Sequence, residues 1–304
     1  MMKKWITGIL VMLSVLYVAG CTRDADTAYT YYQVLKADGL NRTYQLNLPA
    51  NYYTDETKRP LLIVLHGAGG KASQAARDYG FQSVADTAGF ITVYPEGVQS
   101  NGPLALRTWN AGGCCHEATM NRIPDVNFIR LLITYLVDNW RVDARRIYIA
   151  GMSNGGMMAY RLACELSDKI AAAAVVSGTD YTAGCAPVRT VPLIHFHSAL
   201  DTKVPPAGGT GLGGYYFPPV MDGLQKWVAY NHCNPAGEIS DEAGYKRTVW
   251  KNQEDTAAIV YYLTSDGGHS WPGGRLPHAR ADQPSRALNA TALIWAFFRD
   301  RHLP

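Results

Sequence analysis

The sequence predicts one α/β domain, a mostly parallel sheet with helices on both faces. Three observations carry this. Six apolar runs of strand length recur along the chain, and they are unbroken by polar alternation, as strands buried on both faces should be. Segments of helical period separate several of them. No internal repeat and no linker-like stretch divides the chain, and 304 residues at 47% hydrophobic content are ample for one large core.

Residues 1–20 are read as a leader rather than as fold. MMKKW is a short basic start, and ITGILVMLSVLYV is an apolar run too short for a stable membrane span. VAGC then ends on Cys21 in the manner of a bacterial lipobox, so Cys21 is the expected lipidation site. With Thr22 rather than Asp after it, outer-membrane anchoring is expected. Residues 21–27 are read as a tether and 28–304 as one folded domain. The net charge is +3, two units of which come from Lys3 and Lys4 of the leader. No Lys/Arg cluster suggests nucleic acid, and the expected membrane contact is the lipid alone.

The domain opens with YQVLKADGLNRTYQLNLP, which places Tyr44, Leu46 and Leu48 on one face. With Asp38-Gly39 as the turn, it reads as an antiparallel hairpin. The buried strands follow: LLIVLHG (61–67), ITVYPEG (91–97), RIYIAGMS (146–153), AAAAVVSG (171–178), PLIHFHS (192–198) and AAIVYYLTS (257–265). In PDVNFIRLLITYLVDNW, Val126, Ile129, Ile133, Leu136 and Trp140 form a helical stripe, and Pro124 suits a first turn. FPPVMDGLQKWVAY and ALNATALIWAFFRD also read as helices.

In such sheets the chemistry gathers at the carboxyl ends of strands. GMSNGG places Ser153 between a strand and a helix, the context that gives G-x-S-x-G its meaning as a nucleophile turn. Of the eight histidines, His269 lies on the loop after the last strand, where the base belongs. Asp201, after PLIHFHSAL, ends the preceding strand and is the expected acid, with Asp180 as its competitor. Ser, Asp, His is the chain order this architecture requires. The oxyanion N–H groups are expected from Asn154 and from Ala68 in HGAGG, with His66 holding that loop. His195 and His197 face one way at i, i+2, as a metal pair could, but no further group completes a site. They are read as structural or pocket-lining, with no metal and no cofactor expected.

HGAGG, RTWNAGGCCHEA, GMSNGGMMAYRLACE, PLIHFHSALDTKVPPAGG and GGHSWPGG together resemble the polyhydroxybutyrate depolymerase-type esterases, which include feruloyl and acetylxylan esterases of carbohydrate esterase family one. The resemblance runs from about Tyr44 to Phe298. It implies an α/β-hydrolase fold and Ser153, Asp201 and His269 as a triad. Only Thr179 to Val191 separate two strands where a lid is commonly inserted, so no large lid is expected. Trp109, Tyr215, Tyr216 and Trp271 stand on Gly-rich loops as candidate platforms for a sugar, a phenolic acyl group or a polyester.

The expected function is a secreted serine esterase for polymer-borne or aromatic esters. A general short-chain carboxylesterase or peptidase is the alternative within chemistry. A non-catalytic polysaccharide-binding lipoprotein is the alternative from another class.

Export permits disulfides. Cys164 lies eleven residues along the helix after Ser153, roughly 16 Å by helical rise, and so near the opposite end of the sheet, where the strand after Cys185 begins. A Cys164–Cys185 bond is therefore expected. Cys114 and Cys115 are left as thiols or as a bond between neighbours. The family pattern suggests a partner for Cys233 in VWKNQEDTAAIV, which has no cysteine, so Cys233 is expected to be free.

Overall fold

A computed structural model describes residues 29–304, Asp255 excepted; the leader 1–20, Cys21 and the tether 21–27 lie outside the described residues. Ten strands form one sheet: β1 (Thr30–Ala37), β2 (Leu40–Asn47), β3 (Arg59–Leu65), β4 (Ile91–Pro95), β5 (Val142–Met152), β6 (Ala172–Val176), β7 (Leu193–Ser198), β8 (Glu238–Glu242), β9 (Tyr245–Lys251) and β10 (Ala257–Thr264). Their spatial order is β1-β2-β4-β3-β5-β6-β7-β10-β9-β8. The six central strands, β4 to β10 in that order, run parallel.

Alternate residues of the central strands feed two separate cores. Leu61, Ile63 and Leu65 of β3 face one core, together with α4 (Asp125–Asn139), α5 (Asn154–Glu165) and α6 (Val220–Tyr230). Leu62 and Val64 face the other, with α1 (Ala72–Asp78), α2 (Phe81–Ala88) and α7 (Ala290–Phe298). The short α3 (His116–Met120) lies beyond the end of β4. Burial on both faces is why these strands read as continuous apolar runs.

Antiparallel strands finish both edges. The N-terminal hairpin β1–β2 turns at Asp38-Gly39, both with positive φ, and buries Tyr44, Leu46 and Leu48 as expected. The second edge, β10-β9-β8, is also antiparallel and was not foreseen. Its signal was present: Val249 of β9 enters one core and Trp250 the other, and β8 turns into β9 through Gly244 at φ +89°.

Candidate active site

Ser153 follows the last residue of β5 and precedes the first of α5. Its φ and ψ are +54° and −124°, outside the regions open to an L-residue without strain. The turn is possible because its neighbours lack side chains. A Cβ on Gly151 would lie 2.2 Å from the Gly155 carbonyl oxygen, and one on Gly155 would lie 2.5 Å from that of His66. The Ser153 N–H donates to Val176 O of β6 at 2.8 Å, pinning the turn to the adjacent strand.

His269 lies on the loop after β10. Its Nε2 is 2.8 Å from Ser153 Oγ, and its Nδ1 is 2.8 Å from Asp201 Oδ2. A carboxylate only accepts, so Nδ1 carries the proton and Nε2 is free to take one from the serine hydroxyl. Asp201 is buried beyond the end of β7. Its Oδ1 accepts the backbone N–H groups of Lys203 and Val204, each at 2.9 Å. Burial, the largest influence, opposes its ionisation. The hydrogen bonds from His197 and His269 outweigh it and hold the carboxyl well below its usual range.

Asp180, the competing acid, is occupied elsewhere. It accepts from the Thr182 N–H and hydroxyl and from Trp227 Nε1–H, and it pairs with Lys226 Nζ at 2.5 Å.

Sequence reasoning missed Asp282. Its Oδ2 accepts the His269 backbone N–H at 2.8 Å, and its Oδ1 pairs with Lys203 at 3.1 Å. A Cβ on Gly268 would lie 2.8 Å from Asp282 Cβ, so the glycine lets this bracket close. Asp282 sits in a polar loop with no periodicity around it, so the sequence offered nothing to single it out.

The two oxyanion candidates come from the start of α5 and from the loop after β3. Asn154 is the first residue of α5, where helix geometry leaves the N–H without an intrahelical partner. Ala68 is exposed on the loop after β3, and its N–H meets no acceptor among the described residues. Gly67, just before it, packs on the serine: a Cβ there would be 3.3 Å from Ser153 Cβ. His66 holds this loop through Nδ1 to Gly67 O at 2.8 Å, while its Nε2 accepts the Gly97 N–H at 3.1 Å. Burial lowers its pKa to about 4, so it stays neutral.

Two expected substrate platforms are corrected. Trp109 is fully buried. Its Nε1–H donates to His66 O at 3.0 Å, and its backbone exchanges bonds of 2.7 and 3.1 Å with the Asn154 side chain. It braces the two loops that carry the oxyanion candidates and offers no face to a ligand. Trp271 is also buried. It stacks on Tyr79 with ring centroids 4.2 Å apart and donates Nε1–H to Thr291, so it packs under the sheet. Tyr215 is half-buried, with its hydroxyl accepting the His116 N–H at 3.2 Å. Tyr216 stands 65% exposed.

The cysteines fall into two bonds and one thiol. Cys164 at the end of α5 is bonded to Cys185, with Cα atoms 6.3 Å apart. Cys114 and Cys115 are bonded to each other, and Cys114 O accepts from Asn154 Nδ2 at 3.2 Å. Cys233 is free. Among the described residues, no three His, Cys, Asp or Glu side chains converge as a metal-binding set, and no helix is long and apolar enough to cross a membrane.

Comparison with known proteins finds relatives among esterases. Residues 42–202, just over half the chain, match the family described as esterase PHB depolymerase. A putative esterase, NocK, of Nocardia uniformis subsp. tsuyamanensis is 29% identical over 84% of this chain and 78% of its own length. Feruloyl esterase B of Piromyces equi is 30% identical over 74% of this chain, which spans only 42% of that protein. Poly(3-hydroxyalkanoate) depolymerase C of Paucimonas lemoignei is 24% identical over 70% of this chain and 55% of its own length. Among solved structures, acetyl xylan esterase from Aspergillus awamori superposes with a TM-score of 0.59 at 16% identity, over 79% of this chain and 94% of that one, a likeness of fold alone. With a strand-to-helix serine turn inside the matched segment, the chain belongs to the PHB depolymerase family of esterases and is a carboxylic ester hydrolase of α/β-hydrolase fold.

Proposed function

We propose that Ser153, His269 and Asp201 hydrolyse esters through an acyl-enzyme, and that these esters are borne on polymers: polyhydroxyalkanoate, or feruloyl and acetyl groups of plant polysaccharide. The observation that carries the reading is the unbroken line from Asp201 through His269 to Ser153 Oγ, two contacts of 2.8 Å each.

As Oγ bonds to the ester carbonyl carbon, its proton passes to His269 Nε2. The carbonyl oxygen takes the electron pair and meets the N–H groups of Ala68 and Asn154. Collapse of the tetrahedral adduct breaks the bond to the alcohol oxygen, which leaves with the proton from Nε2. Water then repeats the sequence on the acyl-enzyme, releasing the acid and restoring the serine. Asp201 stays ionised throughout and opposes the charge of the imidazolium.

The polymer reading is supported by what surrounds the acid and base. The connection from β6 to β7 holds no helix. Leu200, Leu212 and Tyr216 stand 57%, 53% and 65% exposed on the loops around Asp201, offering an open apolar approach rather than a closed tunnel. The relatives' feruloyl esterase and depolymerase names point the same way. We extend the proposal to export: residues 1–20 direct secretion, Cys21 carries the lipid, and the domain 28–304 works at the outer membrane or cell surface. Cys21→Ala should then move the protein from the membrane to the soluble fraction.

The testing experiment has two arms. A serine-directed phosphonate should add its mass to the Ser153 peptide, and an unlabelled serine with activity intact would overturn the mechanism. Methyl ferulate, acetylated xylan, hydroxybutyrate oligomers and p-nitrophenyl butyrate, assayed together, should show preference for one of the first three. Turnover of the nitrophenyl ester alone would leave a general short-chain carboxylesterase.

A further inference from the structure

The two histidines of β7 are used in the core, and their arrangement is directional. Tyr160 Oη lies 2.7 Å from His195 Nδ1, His195 Nε2 lies 3.1 Å from His197 Nδ1, and His197 Nε2 lies 2.8 Å from Val204 O and 3.4 Å from Asp201 Oδ2. All three side chains are fully buried or nearly so. The far end fixes the protons. His197 Nε2 faces two acceptors, a carbonyl and a carboxylate, so it must carry a hydrogen. In the neutral ring Nδ1 is then an acceptor, which His195 meets with Nε2–H. His195 Nδ1 is an acceptor in turn, and the Tyr160 hydroxyl donates to it. One proton order satisfies every group, and every donor in it points towards Asp201.

We infer that His197, backed by His195 and Tyr160, is a positioning residue for Asp201. The inference rests on the triad reading above. His197 acts on the acid in two ways. It pins the Val204 carbonyl, and Val204 is the residue whose N–H clamps Asp201 Oδ1 at 2.9 Å. It also directs an N–H towards Oδ2, the oxygen that holds His269. Chained donors in a buried site polarise one another, which suits a carboxylate that must stay charged out of water.

The surroundings leave the chain undisturbed. Burial keeps His195 neutral. It also keeps the Tyr160 hydroxyl protonated, with the Asp180 carboxylate reinforcing it. Tyr261 of β10 meets His195 edge-on at 5.4 Å. Lys203 beside the turn is paired with Asp282. Tyr160 lies seven residues beyond Ser153 on α5, so the nucleophile's helix and the acid's strand are joined through the core as well as through His269.

The test compares His197→Leu, His197→Gln and Tyr160→Phe with the native protein, all checked for fold by circular dichroism. The leucine removes both ring nitrogens. It should lower kcat roughly 10- to 100-fold, the range known for outer-shell partners at metal sites, with KM within about twofold. Glutamine keeps a donor near the Nε2 position and should recover most of the loss. Tyr160→Phe keeps the ring and removes only the terminal donor, so its loss should be smaller than that of leucine. A folded leucine variant with kcat within threefold of native would overturn the inference, as would equal impairment of Leu and Gln. If leucine fails to fold, native kcat in Tyr160→Phe would overturn it. Failure of the triad reading is seen separately, as activity persisting in Ser153→Ala.

Discussion

Replacing Asp201 by Asn changes one atom, and the structure determines where that atom goes. Asp201 Oδ1 accepts two backbone N–H groups, from Lys203 and Val204 at 2.9 Å each. An amide NH2 placed there would face two donors, so the asparagine must put its oxygen at that position. Its NH2 then takes the place of Oδ2 and points at His269 Nδ1 from 2.8 Å. The imidazole can satisfy this only by moving its proton to Nε2, the nitrogen that faces Ser153 Oγ. The serine then meets a donor where it needs a base. The same change in a related constellation lowers kcat by about 10⁴, which is roughly 5.4 kcal/mol at 1.36 kcal/mol per decade. The assay is kcat on p-nitrophenyl butyrate, with phosphonate labelling of Ser153 as a second readout of nucleophilicity. Asp180→Asn is the control and should lose less than about threefold, since Asp180 makes no contact with His269. A loss below tenfold in Asp201→Asn, with labelling intact, would refute the tautomer argument. A larger loss in Asp180→Asn would show that the acid had been misassigned.

Four further outcomes follow from the geometry. Ser153→Ala should lower turnover by about 10⁴ to 10⁶ with the melting temperature little changed, measured by steady-state kinetics and calorimetry. Gly155→Ala sets a Cβ 2.5 Å from His66 O and should destabilise the fold by about 1–3 kcal/mol or more, read by urea denaturation. Because the folded Asp201 carboxyl sits below its unfolded value of about 3.9, it contributes stability above that pH and loses it as pH falls towards the folded value. The native protein's melting temperature should therefore fall more between pH 5 and pH 3 than that of Asp201→Asn. Removing the Cys164–Cys185 bond, which closes a separation of 21 residues, should cost about 3 kcal/mol and leave kcat unchanged, since it lies at the far end of α5 from Ser153.

The central sheet was legible because burial on both faces writes the same apolar run into each strand, and strand ends then locate the chemistry. Ser153, Asp201 and His269 could be named from the glycine-flanked serine turn and from strand ends, and the structure brings all three into hydrogen-bonding reach. The β8–β9 pair was not legible because its outer strand, Glu238–Glu242, is largely exposed and reads like a polar loop. The tryptophans misled for a different reason. An indole on a Gly-rich loop reads as a platform, but Trp109 and Trp271 each spend the N–H on an interior acceptor. Nothing in local sequence says that the loop folds inward. The histidine chain of β7 was read only as structural or pocket-lining, because its meaning depends on Tyr160 and Val204, 35 residues before His195 and seven after His197.

The position of β10 in the sheet has a temporal consequence. The proposed nucleophile, acid and oxyanion donors all lie within residues 42–202, whereas the proposed base, His269, comes after the β8–β9 excursion, on the loop that follows β10, a strand that must insert between β7 and β9. Its Asp282 bracket comes later still. A chain emerging from the ribosome, or refolding from denaturant, thus carries its serine long before it carries anything able to take the proton. On the proposed mechanism, hydrolysis should stay silent until the last strand of the sheet docks. Recovery of activity then reports the completion of the sheet, not its collapse, and should lag the burial of Trp109 and Trp227 in the first core.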